Sequence, residues 1–153
     1  MSPKWTRQGV EEFVSRLERC VVRKEEWNHE AHLIAGFWYI HSLGIELALD
    51  QMRVRIRNHN ESVGTPNTDS SGYHETITRL YLNGISEHLR NHPLQDFEEC
   101  LAILLASGLA KSAWPLTFYS KERLFSTQAR REWVEPDLLH GNGRVAPRPH
   151  AAS

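Results

Sequence analysis

A chain of 153 residues, 40% apolar and 24% charged, has the size and balance of one globular domain rather than of a disordered segment. Its formal net charge of -1 leaves no global pull on nucleic acid or anionic lipid. With no apolar leader near Met1 and no apolar run beyond 33–40, neither a secreted nor a membrane protein is expected, and a cytoplasmic one is.

Val10, Phe13, Val14, Leu17 and Val21 recur at helical spacing and predict an amphipathic helix over about 6–22. A charged connector, 23–26, follows. Asn28 has the side chain of an N-cap, and a second helix is expected from His29 to about Ser42. Being apolar on most sides, it belongs at the centre of a bundle. Gly44 interrupts the chain, and Ile45, Leu49, Met52 and Ile56 form the stripe of a third helix, with Arg53, Arg55 and Arg57 on its solvated side. The polar stretch 58–71, which contains Gly64–Thr65–Pro66–Asn67, reads as a loop.

A fourth helix is expected from Gly72 or Tyr73 to about Asn91, carried by Ile77, Leu80, Tyr81, Ile85 and Leu89. Pro93 is expected to open a fifth, with Phe97, Leu101, Leu104 and Leu105 as its buried stripe and Gly108 as its stop. One or two short helices are expected within 120–133. The Gly-, Pro- and Ala-rich segment 141–153 is expected to be disordered. The fold class is therefore all-α, a single-domain bundle of about five helices over 1–140 with an irregular C-terminal extension. Cys20 and Cys100 fall within apolar helical patterns and are expected to be free, buried and slow to react.

Nine histidines are many for this length. His29 and His32 stand three apart at the start of the second helix, so both rings can converge on one point. His74 opens the fourth helix. If both helices run the same way, His29, His32 and His74 could hold a divalent metal ion, iron or zinc, at one end of the bundle. Glu75 would be a fourth ligand or the general base acting on a metal-bound water. The plainer alternative is that these histidines only bond nearby loops, and that Glu30 and Glu75 only favour the helix macrodipole. Tyr39 and Tyr81, seven residues beyond His32 and His74, and Asn67 and Thr68 of the polar loop are candidates for a substrate pocket. There is no G-x-S-x-G, phosphate-binding loop or C-x-x-C, so hydrolase-triad, nucleotide-binding and zinc-finger readings lack support.

Three segments taken together carry a resemblance: Trp27–Asn28–His29–Glu30–Ala31–His32–Leu33; Gly64–Thr65–Pro66–Asn67–Thr68 with Gly72–Tyr73–His74–Glu75–Thr76–Ile77–Thr78; and Trp133–Val134–Glu135–Pro136–Asp137–Leu138. They resemble an uncharacterised family of small bacterial helical proteins over most of the chain, 27–138. The resemblance implies that His29, His32, His74 and Glu75 belong to the family pattern, and it implies no particular reaction. The bundle is also similar in outline to the DinB-like bundles, which hold a metal through three histidines at a different spacing. The leading expectation is thus a metal-dependent enzyme acting on a small molecule by hydrolysis, isomerisation, group transfer or oxidation. The other is a non-catalytic helical module that binds a small ligand or a protein partner. A homodimer is left open.

Overall fold

The structure is a computed structural model and describes residues 5–138 and 146–148. It is all-α, with no strand among the described residues. Five longer helices, α1 (Arg7–Glu18), α2 (His29–Leu43), α3 (Ile45–Ser62), α4 (Glu75–Asn91) and α5 (Phe97–Leu105), are followed by two short ones, α6 (Lys121–Leu124) and α7 (Thr127–Arg131). None is long and apolar enough to cross a membrane.

α2 takes the central place that its all-round apolar sequence predicts. It packs against α1, α3, α4 and α5 and buries Leu33, Ile34, Ala35 and Phe37 almost completely. Its start is set by the Asn28 side chain, which accepts a bond from the Ala31 amide at 2.9 Å. Gly36 lets α4 come close. A Cβ there would lie 3.0 Å from Ile85 Cδ1 and 3.2 Å from Leu82 Cδ2.

Several boundaries differ from the periodicity, each for a local reason. α1 stops at Glu18 instead of reaching Val22, because Cys20 takes a left-handed backbone with φ 58°. The Val21 amide then returns to the Arg16 carbonyl and closes the helix end. Cys20 is accordingly half-buried beyond the helix rather than on its apolar stripe, whereas Cys100 is buried as expected, and both are free. α3 continues to Ser62, so His59 and Asn60, expected in the polar loop, are buried helical residues. α4 begins at Glu75, because His74 is its N-cap, with a ring nitrogen accepting from the Ile77 amide. α5 is opened by Asp96 and not by Pro93, and it ends at Leu105 before Gly108 is reached.

Two apolar clusters share α4. The larger joins α1, α2, α3, α5 and the inner face of α4. The smaller gathers Leu80, Phe118, Tyr119, Leu124, Ala129 and Val134, so that the chain after α5 wraps the outer face of α4. The extension 141–153 lies outside the described residues apart from 146–148, where Ala146 is buried in this smaller cluster and Arg148 pairs with Glu135 at 3.0 Å.

Candidate functional site

The inner face of α4, the first turn of α2 and the middle of α3 leave a cavity of about 290 Å³. Trp27, Asn28, His29, His32 and Leu33 line it from the α2 side, Met52 and Ile56 from α3, and Ile77, Thr78, Tyr81, Leu82 and Ile85 from α4. No charged side chain is among them. An apolar hollow with a few converging polar groups is the usual form of a small-molecule site. A hollow of about 330 Å³ beside α1 is lined by Glu12, Arg16, Glu26 and Glu30 together with Trp5 and Phe13, and it lacks that character.

Both histidines of α2 line the cavity, and main-chain carbonyls fix their tautomers. The Nε2–H of His29 donates to the Leu109 carbonyl at 2.8 Å, and the Nδ1–H of His32 donates to the Asn28 carbonyl at 2.8 Å. A carbonyl can only accept, so each bonded nitrogen carries a proton, and in a neutral ring the other keeps a lone pair. Those two nitrogens, His29 Nδ1 and His32 Nε2, have no hydrogen-bond partner among the described residues, and neither is sealed away from solvent. Burial pushes the His32 ring down to about 4, against the raising effect of its bond to Asn28, so it is neutral at ordinary pH. Trp27 covers it, with ring centroids 4.0 Å apart, and His29 lies 4.9 Å from the Tyr81 ring.

His74 does not join them. Its Nε2–H donates to the Leu124 carbonyl at 2.7 Å, on the outer side of α4, and its Nδ1 accepts from Ile77, so both nitrogens are engaged. The cause is its place in the helix. As N-cap, with φ -134° and ψ 109°, it stands on extended backbone, and the seven-residue rule that relates it to Tyr81 does not apply. Among the described residues no group of three or more His, Cys, Asp or Glu side chains is placed to hold a metal ion.

Glu75 is likewise engaged elsewhere. Arg53 Nε donates to it at 3.0 Å and the Tyr73 hydroxyl at 2.7 Å. Burial acts to raise its carboxyl, but the bonds from Arg53 and Tyr73 outweigh this and hold it below the ordinary range. An ionised carboxylate bound to a cation and a phenol is a poor general base.

Of the four pocket candidates, Tyr81 lines the cavity, its hydroxyl donating to the Lys111 carbonyl at 3.0 Å. Tyr39 shares the His32 face but lies about 10 Å further along the helix, where it donates to Glu18 at 2.6 Å. Asn67 ties the loop together, its Oδ1 accepting from Asn60 Nδ2 at 2.9 Å and from the Tyr73 amide at 3.0 Å. That arrangement needs Gly72, whose φ is +83° and whose missing Cβ would fall 2.5 Å from Asn67 Oδ1. Thr68 bonds Ser71 and Ser70 within the same loop.

Sequence reasoning overlooked Trp27, Met52, Ile56, Ile77, Leu82 and Ile85 as cavity residues. Only one signal pointed to the helical ones: all but Trp27, which stands before α2, sit on apolar helix faces, the pattern of ordinary core. No protein-family model, curated protein or solved structure matches this chain.

Proposed function

We propose that this protein is a helical module that binds a small, mainly apolar molecule in the cavity between α2, α3 and α4. The observation that carries the reading is the pairing of an apolar lining that holds no acidic, lysine or arginine side chain with two histidines, His29 and His32, that each keep one ring nitrogen without a protein partner. In a cavity where apolar contact supplies most of the affinity, such groups orient the ligand. Intrinsic fluorescence is the direct test, because Trp27 lines the cavity. A library of neutral fragments of one or two rings should contain members that quench or shift that emission and raise the melting temperature. Leu33→Trp, which fills the cavity, should abolish both responses. Binding that survives Leu33→Trp would put the ligand elsewhere and overturn the reading.

A second reading keeps the metal, and one observation favours it. Metal-ligating histidines commonly donate their other ring N–H to a main-chain carbonyl, and both His29 and His32 do so. They would supply two ligands, without His74 or Glu75, and the remaining positions would be left to water or a substrate. Elemental analysis of protein purified without a His tag tests it. Stoichiometric iron or zinc that is lost in His32→Ala supports a metal-dependent enzyme, and its absence from carefully prepared native protein removes that reading.

A further inference from the structure

The cavity's hydrogen-bonding character is one-sided. Most of the polar hydrogens that its walls carry are directed into the protein. His29 Nε2–H, His32 Nδ1–H and the Tyr81 hydroxyl donate to the carbonyls of Leu109, Asn28 and Lys111, and the Thr78 hydroxyl donates to the His74 carbonyl at 2.8 Å. The Trp27 indole N–H has no partner, but its nitrogen is sealed from solvent and cannot meet a ligand. Asn28, an exposed lining residue, is the exception: its Oδ1 caps α2, and its Nδ2 hydrogens have no partner among the described residues. What the interior offers is therefore lone pairs, those of His29 Nδ1 and His32 Nε2 above all.

Three exclusions follow for the ligand. A carboxylate or phosphate would meet no lysine or arginine in the lining and would bring its oxygens against the lone pair of His32 Nε2. A cation would leave water without a carboxylate to meet it, since the lining holds none. A pure hydrocarbon would strip water from two imidazole nitrogens and replace none of their hydrogen bonds. The walls complete the description. Trp27, Tyr81 and the two imidazoles line it together with the aliphatic side chains of Met52, Ile56 and Leu82, a combination suited to a flat ring. At about 290 Å³ the space holds one or two fused rings.

We infer that the ligand is a neutral aromatic molecule of one or two rings bearing an O–H or N–H donor, of the phenol or indole class, and that it gives this hydrogen to His32 Nε2. The inference presupposes that the cavity is a binding site, and the test separates the two claims. Indole and benzofuran have nearly the same shape, with the N–H of the first replaced by an ether oxygen in the second. Titration of the full chain by calorimetry should show indole binding about 10-fold more tightly than benzofuran. His32→Phe, which keeps a ring and removes the acceptor, should erase that preference and leave benzofuran binding within about twofold. Retained benzofuran binding also shows that the variant is folded. Equal affinity of the two compounds for the native protein overturns the donor rule and leaves the cavity reading intact. A preference that persists in His32→Phe overturns the assignment to His32. Failure of both compounds to bind at millimolar concentration overturns the cavity reading, and the inference with it.

Discussion

The openings of α2 and α4 begin from the same ingredients: a histidine followed at once by a glutamate, and an apolar helix beyond. At α2 the cap is Asn28, so His29 and His32 stand on helical backbone, and each donates one ring hydrogen and keeps one nitrogen free. At α4 the cap is His74 itself, and its two nitrogens close the helix end and hold the Leu124 carbonyl. A one-residue difference in where the helix starts thus separates binding groups from fastening groups. It also explains why Glu75, in the first helical turn, meets Arg53 and Tyr73 instead of a cavity.

Substitutions at the two openings should accordingly have opposite signatures, stability at α4 and binding at α2. The largest effect is expected for Glu75→Gln. It leaves Arg53 with only the exposed Asp50 carboxylate, 3.3 Å away, and should cost about 2–3 kcal/mol in chemical denaturation, less than for a fully buried pair because the Arg53 side chain keeps 34% exposure. A cost under about 0.5 kcal/mol would mean that the pair does not hold the loop to α3.

Next comes His74→Ala, which removes the cap from Ile77 and leaves the Leu124 carbonyl without its partner. The expected loss is about 2 kcal/mol, with affinity for the cavity ligand unchanged. A variant that kept its stability and lost ligand or metal would reverse the contrast and return His74 to the site.

Acid should act through both openings. Burial depresses His32 from an ordinary 6.5 to about 4, and it also lowers His74. A histidine whose folded value lies below its unfolded one binds fewer protons when folded. Its contribution is fully present above pH 6.5 and is lost as the pH falls toward 4. Because the His32 ring borders an open cleft, the loss is about 1–2 kcal/mol across that window. Denaturation curves measured from pH 7 to 4 check it, and in His32→Phe the slope should shrink. An unchanged slope would assign the acid sensitivity to other groups.

The smallest effect on stability is expected for His32→Ala, under about 1 kcal/mol, since its one hydrogen bond, to the Asn28 carbonyl, is local. Its effect on binding should be the larger one. Melting temperature and ligand titration on the same sample measure both, and a large loss of stability without a loss of binding would make His32 a structural residue.

Helix type, number and order were legible in the sequence because they follow from local rules. Apolar residues at helical spacing mark α1 to α5, Asn28 caps α2, and Gly44 with φ +84° separates α2 from α3. The pairing of His29 with His32 followed from the same spacing, and so did the central place of α2. Tertiary structure alone decided the remainder. Whether a histidine caps a helix or rides on it depends on which nearby donor lacks a partner, as the Ile77 amide does at His74. The cavity depends on how far three apolar helices fall short of filling the space between them. Met52, Ile77 and Leu82 look alike in sequence whether they meet a neighbour or an open volume. The character of the site arises in part from the carbonyls of Leu109 and Lys111, brought from 80 and 30 residues away to hold His29 and Tyr81, beside the local Asn28 carbonyl that holds His32. Main-chain carbonyls are identical at every position of the chain, so only the fold determines which side chains they engage.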